Sequence, residues 1–417
     1  MTEPATRATS SHLVLTLCAA VVILTAASAQ AQTYTILHNF TGSLDGAYPY
    51  AGLVLDRAGN LYGTASAGGS SSCPGGCGTV FRLSPHGSSW VFTPLYAFQG
   101  GMDGQAPLAP VVIAPDGTLY GTTTAGGIGS CNSNFGRGCG TVFRLRPPAH
   151  ICNAVSCPWT ETVIYRFSGG LDGSAPGYGP LALDASSNLF GTTELGGQYG
   201  LGTAFELTAA NGSWNEAVIH SFMGTTDGSI PQSSVVFDAA GNLFGTSDGS
   251  SGPGTGGVLF ELSPSGPAWI FTVLHTFAVS EGDPLGELAS TAPGVFYGVT
   301  YNFRGDPGLA YELSNSGQGW QYASIASLPP FGALTGPALD RAGNLYGVEP
   351  PQPHGLVYKL TESDGVWSYG VLHIFQDSGD NGAPNGVPLV DAQNNVYGTT
   401  IGGGSSDNGV IWKISQP

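Results

Sequence analysis

One short stretch, Gly59-Asn60-Leu61-Tyr62-Gly63-Thr64, limits what this chain can fold into, because it recurs. Leu119-Tyr120-Gly121-Thr122, Leu189-Phe190-Gly191-Thr192 and Leu243-Phe244-Gly245-Thr246 are plain copies. Phe296-Tyr297-Gly298-Val299, Leu345-Tyr346-Gly347-Val348 and Val396-Tyr397-Gly398-Thr399 are looser ones. Successive copies lie 58, 70, 54, 53, 49 and 51 residues apart. That period, about 56 residues, fits propeller blades and exceeds most solenoid repeats.

Each unit contains four β-like runs. In the third they are Pro180 to Asp184, Asn188 to Thr193, Gly202 to Leu207 and Trp214 to Phe222, rich in aromatic and β-branched residues and separated by turn residues. No helical period is sustained beyond the first residues. The turn between runs one and two reads Asp56-Arg57-Ala58-Gly59-Asn60, with counterparts at Asp238 and Asp340. Its Asp can accept backbone N–H groups and its Gly can take positive φ, which makes these acids structural.

The two ends decide the architecture. Tyr34 to Phe40 matches the fourth run of other units, and Gly409 to Ile414 matches a third run. The last unit therefore lacks a fourth strand that the start of the chain can supply. Closing a ring in this way removes exposed sheet edges. The expected fold is all-β: a seven-bladed β-propeller of four-stranded antiparallel blades, with the seventh blade shared between the termini.

Residues 1–31 read as a signal peptide. Arg7 precedes an apolar run from Leu13 to Ala27, and small residues allow cleavage after Ala29 or Ala31. Residues 32–417 then form one propeller domain, with no membrane span in the mature chain. A secreted, periplasmic or cell-surface location follows. The net charge of −17, with Lys359 and Lys413 the only lysines, speaks against nucleic acid and anionic lipid as partners. Beyond Cys18, six cysteines fall into three local pairs: Cys73 with Cys77, Cys131 with Cys139, and Cys152 with Cys157. In an oxidising compartment these read as disulfides that each fix one loop, in preference to metal ligands.

The succession Gly-Asn-Leu-Tyr-Gly-Thr, Gly68-Gly69, Gly78 to Leu83, Phe98 and Asp103 to Pro107 resembles the GloVer (Gloeo/Verruco) tandem repeat of exported bacterial proteins. The resemblance implies export and repeat architecture and supplies no catalytic mechanism. Units five and six depart from it: neither Glu281-Gly282-Asp283-Pro284 nor Leu328 to Gly336 holds a proper Asp-Gly-x-x-Pro.

Blade topology places the Asp-Gly-Asn hairpins on one rim. The Gly-Gly loops, the first two cysteine pairs and the inter-blade links lie on the other. Function tends to reside on loops held by a rigid scaffold, so the link rim is the candidate binding face. Its links carry Asp45, Asp103, Asp172 and Asp227, with Asp380 as a looser fifth. Each is read as capping its own turn; the alternative is a carboxylate ring for Ca²⁺, which takes six to eight oxygens, or for a polyhydroxylated ligand. His38, His220, His275 and His373 share one repeat position and so belong to the scaffold. The third strands carry Arg144, Glu206, Glu312 and Lys359 at one position, which suggests the inter-blade pairs Arg144–Glu206 and Glu312–Lys359. Ser405 to Trp412 resembles the Asp-box of sialidase-type propellers, a turn element.

The leading expectation is an exported, non-catalytic scaffold that binds a carbohydrate or protein through the link rim. The alternatives are a propeller enzyme of glycan lyase, hydrolase or lactonase type and a structural envelope protein. Glu194, Asp248, Glu287 and Glu349 would be the enzyme's acids, because they interrupt repeat positions. Convergence of two or more of them in the central channel would favour the enzyme; dispersal would favour binding.

Overall fold

The computed structural model describes residues 32–148, 158–210, 212–224, 226–249, 255–350, 354–376 and 382–416. The expected signal peptide lies outside the described residues, as do Cys152 and Cys157, the third expected disulfide, and the link acid Asp380. Seven four-stranded antiparallel sheets form the blades, and among the described residues there is no α-helix. From the channel outward the strands are termed a to d. In blade 1 they are Val54–Leu55, Leu61–Ala65, Thr79–His86 and Ser89–Ala97. Blade 2 has Val112–Ile113, Leu119–Thr123, Thr141–Arg146 and Thr160–Arg166. Blade 3 has Ala182–Leu183, Leu189–Thr193, Thr203–Ala210 and Ser213–Ser221. Blade 4 has Val236–Phe237, Leu243–Ser247, Thr255–Ser265 and Ala268–Ala278. Blade 5 has Ala289–Ala292, Val295–Val299, Pro307–Asn315 and Trp320–Pro330. Blade 6 has Ala338–Leu339, Leu345–Glu349, Leu356–Ser363 and Val366–Ile374.

Blade 7 is closed as the chain ends required. Pro384–Val390, Val396–Thr400 and Val410–Ser415 provide strands a to c, and Thr33–Asn39 adds strand d antiparallel to Val410–Ser415. The expected seven-bladed ring is therefore the observed one.

The repeated tetrad on strand b has a separate physical role at each position. Leu61 and its counterparts Leu119, Leu189, Leu243 and Leu345 are fully buried between blades. The Tyr reaches back to the turn acid: the Tyr62, Tyr346 and Tyr397 hydroxyls donate to Asp56, Asp340 and Asp391 at 3.2, 3.0 and 3.0 Å. The Gly makes room, because strand c lays an aromatic ring across it. A Cβ on Gly63 would stand 2.5 Å from the Phe81 ring, and one on Gly191 2.8 Å from that of Phe205. The same relation pairs Gly347 with Tyr358 and Gly398 with Trp412. The Thr hydroxyl crosses to the next blade: Thr64 donates to Ala109 O, Thr192 to Ser233 O, Thr246 to Gly286 O and Thr399 to Ala51 O, at 2.8 to 3.3 Å.

The turn acids behave as read. Asp56 accepts the N–H groups of Ala58 and Asn60 and the Asn60 amide, at 2.7 to 2.9 Å. Burial works to raise the Asp56 and Asp340 pKa values, but the hydrogen bonds win and hold both below the ordinary carboxylate value. Gly59 has φ +85°; Ser187 accepts the same left-handed conformation in blade 3 at +66°.

The third-strand charges do not pair between blades. Among the described residues the ion pairs join only histidines to acids, and neither Arg144–Glu206 nor Glu312–Lys359 forms. These side chains stand opposite strand b of their own blade, where Arg144 meets Tyr120, Glu206 meets Phe190 and Glu312 meets Tyr297. The Lys359 and Lys413 ammonium groups lie 5.1 and 5.5 Å from the Tyr346 and Tyr397 ring centres. An aromatic face within the blade thus takes the cation in place of a carboxylate across the joint.

Candidate functional site

The link acids serve the outer joints between blades. Asp45 accepts from Thr41 N at 2.9 Å and lies 3.2 Å from His38 Nε2. Asp103 accepts from Gln99 N and the Tyr96 hydroxyl at 2.6 and 2.9 Å. Asp172 accepts from Ser168 N and the Tyr165 hydroxyl at 2.7 and 3.1 Å. Asp227 takes Met223 N and lies 2.8 Å from His220 Nε2. Glu281 fills the position in the shortened blade 4–5 link, accepting Ala278 N at 2.7 Å. Sequence reading missed it, although an acid followed by Gly282 was a usable signal. These carboxylates are spread one per joint. Among the described residues no group of three or more His, Cys, Asp and Glu side chains could hold a metal ion.

The recurring histidines stack on strand d of the following blade. His38 lies on Phe92, His220 on Phe271, His275 on Tyr322 and His373 on Tyr34, with ring centres 3.6 to 4.1 Å apart. Where the position holds Tyr96 or Tyr165, the next blade presents Glu161 or Glu216 instead. Burial first, then the charge of Asp103 or Asp172, pushes those two glutamates up to about 7. At the blade 5–6 joint the position holds Ala326, packed in a cluster with Tyr369, and the Tyr369 hydroxyl donates to Glu349 at 2.9 Å.

The four interrupting acids therefore separate. Glu349 is buried inside blade 6, where burial raises it to about 7. Asp248 is buried at the rim between blades 4 and 5, beside Asp283. Burial, followed by Asp248, lifts Asp283 to about 7. Glu194 lies beside Gln232 and is raised to about 7 by burial. Glu287 stands alone in the channel, where burial pushes it up to about 8. No charge of one among Glu194, Glu287 and Glu349 perturbs another.

Of these four, Glu287 lines an open site and Glu194 adjoins it through Gln232. The site is a cavity of about 240 Å³ in the channel mouth on the link rim. Every blade contributes to it: Tyr50, Leu108, Tyr178, Gln232, Glu287, Leu334 and Val387 come in order from blades 1 to 7. Its narrowness follows from backbone contact between neighbouring links. Gly179 abuts Ser234, and Gly286 abuts Gly336, too closely for a side chain at either glycine. A second cavity of about 610 Å³ continues toward the hairpin rim between the strands a of blades 2 to 5. Glu287 is the one residue lining both.

A hairpin from the long strand b–c loop of blade 2 reaches the mouth. Asn132–Ser133 pairs with Gly136–Arg137, and the Cys131–Cys139 disulfide closes its base. The Gln105 amide donates to Phe135 O at 2.6 Å, and the Phe135 ring meets Tyr50 edge-on at 6.1 Å. The second disulfide, Cys73–Cys77, lies in the corresponding loop of blade 1. Two of the three expected disulfides are thus formed, while Cys152 and Cys157 fall outside the described residues. Exposed apolar side chains gather on this rim. Leu44, Met102 and Leu171, each directly before a link acid, are 74, 56 and 72% exposed, with Tyr199 and Phe303 nearby in the loops.

Solved structures of similar shape are propeller-type proteins. A candidate 6-phosphogluconolactonase from Bacteroides uniformis aligns over 81% of this chain and 90% of its own, at 11% identity and a TM-score of 0.50. The polysaccharide lyase Uly1 aligns over 94% of each chain, at 10% identity and a TM-score of 0.51. The extracellular domain of a candidate hybrid two-component system from B. thetaiotaomicron aligns over 91% of this chain and 39% of its own, at 10% identity and a TM-score of 0.52. At such identities the likeness shows the fold alone. Among curated proteins none matches the sequence. The Gloeobacter/Verrucomicrobia repeat profile matches residues 22–155 and 128–350, most of the chain and six of the seven tetrads that build the blades. The chain belongs to the Gloeobacter/Verrucomicrobia repeat family.

Proposed function

We propose that this is an exported binding scaffold whose ligand seats in the channel mouth of the link rim. The carrying observation is the cavity itself: all seven blades contribute to it, on the rim where exposed apolar side chains collect. Small-molecule sites are concave, mostly apolar and furnished with a few polar groups, which describes this lining. Its volume is below the ~300–1,000 Å³ usual for drug-sized ligands, so a small molecule or the end unit of a longer chain fits it. Tyr50 and Tyr178 line it with aromatic rings and Gln232 with an amide, a combination suited to the end of a carbohydrate. Two disulfides in rim loops, and no helix among the described residues long and apolar enough to cross a membrane, accord with an exported chain.

The enzyme reading has less support. It rests on Glu287 alone, since no other charged group influences that carboxyl. Acid–base catalysis of glycoside cleavage ordinarily needs a second carboxyl. A glycan array probed with and without EDTA tests the binding reading. Retained glycans should be lost on Tyr178→Ala, unaffected by Val366→Ser on the opposite rim, and indifferent to EDTA. Retention unchanged by Tyr178→Ala would remove the channel mouth as the site.

A further inference from the structure

The channel mouth holds acids without counter-charge. Of the residues lining its two cavities, Glu287 and Asp184 alone carry formal charge, and no Lys, Arg or His is present. The Glu287 side chain receives no hydrogen bond from any described residue, and only burial perturbs it. Glu194 flanks the same mouth through Gln232 and Tyr178, and its Oε1 is buried without a hydrogen-bond partner. Structural carboxyls elsewhere in this chain are hydrogen-bonded within their turns, whereas Glu287 opens onto both cavities with no partner among the described residues. A lining with this charge and no Lys, Arg or His favours a cationic guest. The Tyr50 and Tyr178 rings line the same space, and aromatic faces attract cations. A net charge of −17 raises the local concentration of any small cation.

We propose that the channel mouth binds a small organic ammonium group, with Glu287 as its counter-ion, Glu194 reinforcing the field, and Tyr50 and Tyr178 flanking it. The proposal rests on the reading of this mouth as a binding site and names its ligand chemistry. The ammonium can belong to an amino sugar or to a quaternary ammonium compound. Both place one positive charge beside small polar or apolar groups. Binding ionises Glu287 and Glu194, and their protons pass to solvent. The groups that face this equilibrium are Tyr50, Tyr178 and Glu194 on the mouth side and Asp184 on the far side. Affinity for a permanently charged ligand therefore rises with pH through the range in which the two glutamates titrate.

Isothermal titration of the purified protein with choline, its neutral isostere 3,3-dimethylbutan-1-ol, glucosamine and glucose tests this, at pH 6 and pH 8.5. At least one ammonium ligand should bind tenfold or more tightly than its neutral counterpart, and choline affinity should be higher at the upper pH. Glu287→Gln should weaken ammonium binding at least tenfold and flatten its pH dependence. Glu194→Gln should act in the same direction, and Val366→Ser should change nothing. Should the Glu287 variant fail to fold, Glu194→Gln and the pH profile still decide. Neutral ligands that bind as well as the charged ones, and are lost on Tyr178→Ala, would overturn the ammonium and leave the site standing. Binding by none of the four would overturn the ammonium, while the glycan array separately decides the site.

Discussion

The imidazole of His220 lies flat on the ring of Phe271 in the next blade, with centres 4.0 Å apart and planes 11° from parallel. Its Nε2 stands 2.8 Å from Asp227, the acid of the link leading to that blade. One side chain thus joins a blade, its outgoing link and its successor. His220→Ala should cost about 1–2 kcal/mol, combining a lost hydrogen bond with a lost ring contact. Denaturant unfolding of His220→Ala, Phe271→Ala and the double variant checks it: a coupling energy of about 0.5–1.5 kcal/mol is expected, and strict additivity would deny the joint.

The Tyr–Glu joints should make the protein more stable in mild acid than at neutrality. Glu161 and Glu216 are raised from 4.5 to about 7, so the fold holds two protons that the unfolded chain releases between those values. Stability then falls as pH rises through that window. Glu194 and Glu349 add the same sign. His38 and His275, lowered by burial despite their neighbouring acids, oppose it below 6.5. Below the ordinary Asp value of 3.8, the lowered Asp45, Asp56, Asp116 and Asp340 lose their contribution. The melting temperature should exceed its pH 7.5 value near pH 4.5, and Glu161→Gln with Glu216→Gln should reduce the difference. A melting temperature that climbs steadily from pH 4.5 to 7.5 would contradict this.

Gly63→Ala should destabilise by about 1–3 kcal/mol, although its backbone is ordinary strand, because the new methyl would meet the Phe81 ring. Gly63→Ala combined with Phe81→Leu should recover part of the loss. Thermal unfolding of the single and double variants reports both.

Much of this was legible in the sequence, and for a stated reason. A tetrad whose four positions each answer a different demand cannot drift freely, so its copies remain visible. The shared seventh blade was legible because Tyr34 to Phe40 carries the signature of strand d. The joints were not. His220 and Phe271 are 51 residues apart, and strand d to strand d contact across blades leaves no local pattern. The third-strand charges misled for the same reason, since shared repeat position was taken for contact. The channel mouth was hidden too: Tyr50, Tyr178 and Gln232 come from three links and meet only when the ring closes.

Reduction should loosen the mouth and spare the ring. The Cys131–Cys139 bridge spans a sequence separation of 8, worth about 2–3 kcal/mol by chain entropy alone, and it closes a rim hairpin from a base at which Cys139 is buried beside Val142 and Phe167. Cys131→Ser with Cys139→Ser should expose the Asn132–Arg137 hairpin to limited proteolysis while the β-sheet circular dichroism stays unchanged. Cleavage at the same rate in both proteins would show that Gln105 and Tyr50 hold the hairpin without the disulfide.

The joints give the ring an order. A blade that offers His must be followed by one that presents an aromatic ring, and a blade that offers Tyr by one that presents Glu. Blade 3 receives through Glu216 and offers through His220, so it can stand after blade 1 or 2 but not after a second copy of itself. Blades 4 and 5 receive through Phe271 and Tyr322 and could follow any blade that offers His. A chain that looks like seven copies of one unit is thus a sentence with syntax. Duplicating or deleting a blade is tolerated only where the words on either side still agree.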